Sequence, residues 1–98
     1  MAYTIIIEPI ALKDIQKAID YYDEQLIGLG AKFEAALNQH LISLEKNPFF
    51  QLRYDQVHCL PVKKYSYMIH FTINEIDKTL TVRAVFHTSQ DPNKWKKR

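Results

Sequence analysis

Several ingredients of common functional sites are scarce in this chain. Its 98 residues include one cysteine, Cys59, and two glycines, both within positions 28–30. A lone cysteine forms no internal disulfide, which is typical of a reducing compartment, and this one is expected to be a small buried hydrophobe. With so few glycines there is no glycine-rich loop to hold the phosphates of a nucleotide. The composition therefore favours neither a disulfide-stabilised secreted protein nor a nucleotide-binding enzyme.

Long apolar runs and metal-ligand motifs are missing as well. No stretch approaches the ~20 apolar residues that a membrane-spanning helix needs, and MAYTIIIEP lacks the basic start and cleavage site of a signal peptide. His58, His70 and His87 have no cysteine or carboxylate at ligand spacing. We expect a cytoplasmic protein with no metal and no cofactor.

What the chain does have is a normal core composition and an uneven charge. Hydrophobic residues make up 47% of it, which is ordinary for a globular protein, and the length predicts one domain over residues 1–98. The net charge of +2 divides into −3 for residues 1–48 and +5 for residues 49–98. The basic half indicates an acidic partner, either nucleic acid or an acidic protein segment. A solvated surface with chance asymmetry is the alternative.

The first half predicts a strand followed by a helical hairpin. Tyr3–Glu8 is short and β-branched, and Pro9 suits the first turn of a helix. Gly28-Leu29-Gly30 separates two helices, and Asn47-Pro48 ends the second. The apolar stripe of the first helix is Leu12, Ile15, Ile19, Tyr22 and Leu26, with Asp14, Asp20, Asp23 and Glu24 off it, and the stripe of the second is Phe33, Leu37, Leu41 and Leu44.

After Pro48 the pattern changes from helical to alternating. Val57–Lys63, Tyr67–Ile73 and Thr79–His87 read as three strands joined by short turns, which indicates an antiparallel meander. The first strand is expected at an edge of that sheet. The predicted fold class is therefore α+β, in the order β-α-α-β-β-β, with the helical hairpin packed on one face of a mainly antiparallel sheet.

Alternation also predicts which side chains face away from the helices. Met68, His70 and Thr72 are expected on that open face of the middle strand, and Thr81, Arg83, Val85 and His87 on that of the last, with Leu80, Val82, Ala84 and Phe86 inward. His70, Arg83 and His87 would then share one face. Lys63 would join them if Leu60 and Val62 face inward, although a one-residue slip would reverse this.

The cluster of Arg83, His70 and His87 is the best chemical candidate, and the C-terminal end is the best docking candidate. A cation can hold a phosphate, while histidine can act as acid or base in RNA cleavage; a solvated sheet face is the alternative. Near the end, Trp95 can anchor a partner while neighbouring cations attract an anion, or the segment is a solvated tail. Its cations include Lys96, Lys97 and Arg98.

Taken together, the motifs resemble the RelE/ParE toxin superfamily of bacterial type II toxin–antitoxin systems. The matching pieces, in order over nearly the whole length, are Asp20-Tyr21-Tyr22, Gly28-Leu29-Gly30, Phe33, Leu41, Leu44, Asn47-Pro48, Tyr67–Phe71, and His87 with Asp91-Pro92 and Trp95. The resemblance implies a growth-inhibiting bacterial toxin, associated with plasmid stabilization. It also implies a cognate antitoxin that lays a segment across the toxin in a hetero-oligomer.

Two branches of the superfamily imply different targets. RelE-like members cut mRNA in the ribosome with basic residues on the sheet, whereas ParE-like members inhibit DNA gyrase by protein contact. The positions of the RelE-like basic residues fall here on Cys59, Pro61, Met68 and Ser89, and the usual tyrosine position falls near Trp95. The resemblance thus favours a ParE-like gyrase inhibitor over an enzyme.

The residues expected to contact the target or antitoxin are Lys63, Lys64, Arg83, His87, Trp95, Lys96, Lys97 and Arg98. The first alternative is a ribosome-dependent mRNA endoribonuclease, in which His87 is the general acid or base and Arg83 and Lys63 steady the phosphate. Gln90, where the family commonly has arginine before Asp-Pro, departs from the pattern. The second alternative is a degenerate toxin that only binds its antitoxin.

Overall fold

The computed structural model describes residues 3–48, 52–54 and 56–88. Within them the helical hairpin and the strands follow the predicted order, with one short strand added after the hairpin. That strand escapes a pattern search because its three residues are too few to show alternation. The elements are β1 (Thr4–Ile7), α1 (Pro9–Gln25), α2 (Leu29–Lys46), β2 (Leu52–Tyr54), β3 (Val57–Pro61), β4 (Tyr67–Asn74) and β5 (Thr79–His87).

The strands form one sheet in the order β1-β5-β4-β3-β2. β1 lies at an edge and pairs parallel with β5, while the other pairings are antiparallel. The hairpin covers one face, so the predicted α+β fold with a mainly antiparallel sheet is confirmed. The hairpin connects β1 at one edge of the sheet to β2 at the other, and α1 packs beside β5.

The predicted apolar stripe of α2 is confirmed, but that of α1 is partly wrong. Phe33, Leu37, Leu41 and Leu44 are all buried, whereas Leu12 and Leu26 are 52% and 64% exposed. The stripe of α1 is rotated toward small side chains, and its buried members are Ala11, Asp14, Ile15, Ala18 and Tyr22. Alanines at the contact let the helix axis lie close to its neighbours, which leucines at the same positions would prevent.

The loop between the helices depends on two different properties of glycine. Gly28 has a φ of 92°, a left-handed conformation that glycine adopts without steric cost. Gly30 sits where a side chain has no room, since a Cβ atom there would lie 2.5 Å from the carbonyl oxygen of Ile19. The backbone N–H of Gly30 donates to Oδ1 of Asp23 (2.8 Å). The carboxylate of α1 therefore satisfies one of the free N–H groups in the first turn of α2.

A bulge in β5 breaks the predicted alternation. Phe71 pairs with Val82 and His70 pairs with Ala84, so Arg83 is an extra residue on β5. Two residues of β5 then lie opposite one of β4, and the side chains after the bulge exchange faces. Val85 accordingly lies in the core with Val82, whereas it was predicted to face outward.

A buried carboxylate fixes the part of β5 that lies beyond β1. The pairing of β1 with β5 stops at Val82, where the backbone N–H of Glu8 donates to the Val82 carbonyl (3.1 Å). Farther along, the backbone N–H of Val85 donates to Oδ2 of Asp14 on α1 (3.1 Å). Asp14 was predicted to lie off the buried stripe, but it is needed inside because this backbone donor must be satisfied where no strand pairs with it.

Candidate functional site

The predicted cluster of His70, Arg83 and His87 does not form. The bulge leaves His70 and Arg83 on the face opposite the helices, but it turns His87 toward the helices, where it packs against Tyr21 and Tyr67. His70 is fully buried rather than open to a substrate. Arg83 and His87 therefore leave β5 on opposite faces of the sheet, with backbones about 13 Å apart along the strand. In this arrangement one phosphate group cannot contact both side chains.

Arg83 is held at the junction between β1 and α1. Its Nε atom lies 3.5 Å from Oε1 of Glu8, and both side chains are partly exposed. Because Glu8 precedes the first residue of α1, this ion pair joins the bulge in β5 to the start of the helix. A guanidinium with a carboxylate this close has its charge partly compensated, so it is a weaker anchor for a phosphate than a lone arginine.

His87 lies at the end of β5 in an aromatic cluster. Its ring centroid is 5.1 Å from that of Tyr67 and 6.1 Å from that of Tyr21, both edge-on. Tyr22 and Phe33 extend the cluster into the core, and the Tyr22 hydroxyl accepts from the backbone N–H of Ser66 (3.1 Å). Burial, followed by the neighbouring tyrosines, raises the pKa of Tyr67 above its ordinary value of 10.0. The Tyr67 hydroxyl is therefore neutral at physiological pH.

Three of the four positions where the RelE-like branch would carry basic residues lie together on β3 and β4, on the face opposite the helices. Cys59 pairs with His70, and Pro61 pairs with Met68, across β3 and β4. Cys59, Met68 and His70 are buried, and Sγ of Cys59 lies 3.5 Å from Nδ1 of His70. The fold thus gathers these positions as the resemblance implies, but their side chains supply no exposed cation.

Lys63 and Lys64 occupy a different side of the molecule from the one predicted for Lys63. Leu60 and Val62 do face the core, which is the case in which Lys63 was expected on the open face. Lys63 is not there, because β3 ends at Pro61 and the chain then turns toward α2. The backbone N–H of Lys63 donates to Nε2 of His40 (3.2 Å). Both lysines are exposed and line a pocket of about 430 Å³ beside α2.

Part of the predicted site lies outside the described residues. Trp95, Lys96, Lys97 and Arg98 belong to it, as does Ser89, the fourth position where the RelE-like branch carries a basic residue. Among the described residues, no three histidine, cysteine, aspartate or glutamate side chains are grouped so that they could hold a metal ion. In the same part of the chain, no helix is long and apolar enough to cross a membrane.

Three residues with clear structural roles were missed by sequence reasoning. Asp14 was predicted to lie off the apolar stripe of α1, although its carboxylate accepts a hydrogen bond from the backbone of β5. His40 and Lys32 were not singled out, yet both line the pocket beside Lys63 and Lys64. His40 and Lys63 are 23 residues apart in sequence. Local periodicity carries no signal for a contact between residues that far apart in the chain. The available hint of this contact is a histidine on a helix face in a chain that has lysines elsewhere.

The family comparison covers most of the chain. A model described as the ParE toxin of the type II toxin–antitoxin system parDE matches residues 5–92. No curated protein matches the chain in sequence.

Solved structures of low identity share the fold. The chromosomal ParDE toxin–antitoxin system from P. aeruginosa gives a TM-score of 0.77 at 12% identity, over 90% of this chain and 98% of that one. A mutant of E. coli toxin RelE in the free state gives a TM-score of 0.70 at 18% identity, over 91% of this chain and 86% of that one. The toxin–antitoxin complex RelBE2 from Mycobacterium tuberculosis gives a TM-score of 0.67 at 18% identity, over 89% of this chain and 99% of that one.

Proposed function

The chain belongs to the ParE toxin family of type II toxin–antitoxin systems, and we propose from that premise that it acts by inhibitory binding to DNA gyrase rather than by cutting RNA. The observation that carries the proposal is the separation of Arg83 from His87. An RNase of this fold needs an acid–base group and a cation at the same phosphate. Here the bulge turns His87 toward the helices, and Glu8 pairs with Arg83.

The chemistry of the outer sheet face supports the same conclusion. Cys59 and Met68 are buried, and Pro61 has no ionisable group. In the transition state of RNA cleavage, exposed cations are needed to stabilise the negative charge on the phosphate. We propose that the protein acts through protein contact instead, with Arg83, His87, Lys63 and Lys64 as contact residues together with Trp95 and the basic residues that follow it.

The proposed partner that neutralises the toxin is a cognate antitoxin. Among the similar structures, one is described as a ParDE system and another as a RelBE2 toxin–antitoxin complex. An antitoxin segment with acidic residues would complement the basic second half of this chain. The working compartment we propose is the bacterial cytoplasm, with toxin and antitoxin forming a hetero-oligomer.

The ribosome-dependent endonuclease is kept as the alternative because of His87. Its imidazole lies at the end of β5 and is only half-buried, so part of the ring is accessible to a substrate. A catalytic role for His87 would need a phosphate-binding cation other than Arg83, because the two side chains lie on opposite faces of the sheet.

Expression from a tightly controlled promoter separates these functions. A gyrase inhibitor should stop growth with relaxed or linearised plasmid DNA and intact mRNA, and purified toxin should inhibit supercoiling by gyrase. Rapid mRNA loss with cuts inside translated frames would instead establish the endonuclease. No growth defect would favour a toxin that only binds its antitoxin.

The variant His87→Ala sharpens that test. An endonuclease that uses His87 as acid or base should lose about 10²-fold or more in cleavage rate. Inhibition of gyrase should change far less, because one half-buried side chain is a small part of a protein interface. Circular dichroism of the variant checks that it is folded, and a cleavage rate equal to that of the parent would exclude His87 from catalysis.

A further inference from the structure

A pocket beside α2 is lined by cations on two separate segments. Lys32 contributes from the helix, while Lys63 and Lys64 contribute from the turn after β3. The pocket has a volume of about 430 Å³, and none of its lining residues is acidic. Three ammonium groups around one space, without a carboxylate among them, favour an anionic occupant.

Hydrogen bonds hold the two walls of the pocket together. Nδ1 of His40 lies 2.7 Å from the carbonyl oxygen of Ala36, so this nitrogen carries the proton and donates. Nε2 is then the acceptor for the backbone N–H of Lys63 (3.2 Å). The imidazole therefore bridges α2 to the lysine turn.

The turn itself is anchored in the core. The backbone N–H of Tyr65 donates to the carbonyl of Val62 (3.0 Å), and the Tyr65 ring packs edge-on against Tyr22 and Phe33. Lys64 has a φ of 75°, a conformation that a residue other than glycine adopts only where its surroundings impose it. The positions of the two lysine backbones are thus fixed before any ligand binds.

We propose that this pocket binds an aspartate or glutamate side chain presented by an acidic peptide segment of a protein partner. The lysines pair with the carboxylate, and Gln39 supplies an amide donor. Ala35, Ala36 and the Tyr65 ring give an apolar wall for the methylene groups of the acidic residue. The inference rests on the proposed function in one respect, which is that the toxin works through protein partners.

The charge around the pocket favours a peptide over a nucleic acid. A nucleic acid strand carries a charge at every phosphate and needs a track of cations along its path. The three lysines are instead grouped around one pocket, on the first turns of α2 and in the turn after β3. That grouping suits a single acidic side chain better than a long polyanion.

Titration of the whole folded protein with a short peptide of alternating glutamate and serine tests the proposal. Two-dimensional ¹H–¹⁵N NMR should show shifts concentrated at residues 32–40 and 63–65. The same peptide with glutamine in place of glutamate should bind at least several-fold more weakly, and binding should weaken as salt is raised through about 0.15 M. Shifts centred elsewhere, or equal binding of both peptides, would overturn the proposal.

Charge-matched variants separate the pocket from a general basic attraction. The double variant Lys32→Gln/Lys64→Gln should weaken the glutamate peptide about tenfold. Lys13→Gln/Lys17→Gln removes the same charge from exposed positions of α1 and should change affinity by less than about twofold. Equal losses in the two variants would contradict a specific pocket.

Two further arms complete the experiment. If a short oligothymidylate binds at these residues and the glutamate peptide does not, the occupant of the pocket is nucleic acid and the proposal of an acidic peptide is overturned. Gyrase inhibition measured on the same samples keeps the two proposals apart. Peptide binding without gyrase inhibition would overturn the proposed target only, and gyrase inhibition without peptide binding would overturn this inference only.

Discussion

At the scale of single residues, the Gly28-Leu29-Gly30 loop shows how a short motif can serve several physical needs. Gly28 provides the positive φ that begins α2, and Gly30 provides the space for the helices to approach. Asp23 then replaces the side-chain cap that Gly28 cannot supply, through the N–H of Gly30. The combination explains why two glycines stand in a chain that has no others.

The substitution Gly30→Ala tests the role of that close approach. A Cβ atom would lie 2.5 Å from the Ile19 carbonyl oxygen and 2.8 Å from Oδ1 of Asp23, so the helices must separate. We expect a loss of about 2–3 kcal/mol in the free energy of unfolding, measured by urea titration. Gly28→Ala meets no atom within 4 Å and should lose about 1–2 kcal/mol from its backbone conformation alone. A smaller loss for Gly30→Ala than for Gly28→Ala would argue against crowding.

At the scale of elements, the bulge in β5 decides what the sheet presents. Before it, Leu80 and Val82 face the helices as alternation predicts; after it, Val85 and His87 do so in place of Ala84 and Phe86. The aromatic ring of Phe86 instead lies 5.1 Å from that of His70, on the opposite face. One extra residue thus removes His87 from the predicted catalytic group and leaves Arg83 for the ion pair with Glu8.

Deletion of Arg83 is expected to preserve the fold. Without it, Val82, Ala84, Val85 and Phe86 alternate regularly and keep the faces that they already occupy. The loss in stability should be about 1 kcal/mol, because the ion pair with Glu8 is partly exposed.

Deletion of Thr81 is the matched control for that experiment. It would turn either Leu80 or Val82 out of the core, which should cost at least about 1.5–3 kcal/mol. Thermal unfolding followed by circular dichroism measures both deletions. Equal destabilisation by the two would show that the bulge is required for folding.

At the scale of the whole molecule, the aromatic cluster joins the hairpin to the far end of the sheet. Tyr22 and Phe33 come from the two helices, while Tyr65 and Tyr67 come from the turn after β3 and the start of β4. Burial within this cluster is the leading cause of the raised pKa of Tyr67, ahead of Tyr22 and Tyr21. Protonation of the Tyr67 hydroxyl is therefore coupled to folding, because the cluster that buries it forms only in the folded protein.

The stability of the protein should fall in alkaline solution because of that phenol. A folded-state pKa above the unfolded value means that the native state holds the proton more tightly. Its contribution is therefore complete below about pH 10 and is lost as the pH rises from the unfolded pKa through the folded one. Urea titrations between neutral pH and pH 11 should show a decline that is less steep in Tyr67→Phe.

The comparison at neutral pH is the control for Tyr67→Phe. At that pH any change reports lost packing or hydrogen bonding, because the phenol is protonated in both states. Parallel declines for the parent and the variant above about pH 10 would exclude Tyr67 as the group responsible.

The sequence by itself determined the helical hairpin, the stripe of α2 and the order of the strands. These follow from repeats of apolar residues at helical or alternating spacing and from Pro9, Gly28 and Pro48, which act on the backbone beside them. The family motif could be recognised in the sequence because its residues also act locally: Gly28, Gly30 and their neighbours lie within one loop. The family resemblance was also enough to identify Cys59, Pro61 and Met68 as positions without a cation.

Only the tertiary structure decided the facing of His87, the burial of Asp14 and the place of Lys63. Each depends on a partner distant in the chain. The bulge is defined by the pairing of β5 with β4, Asp14 bonds to a backbone donor 71 residues away, and Lys63 meets His40 across 23 residues. Alternation read along one strand cannot register an extra residue that exists only relative to the neighbouring strand, so the faces after Arg83 were fixed by pairing and packing alone.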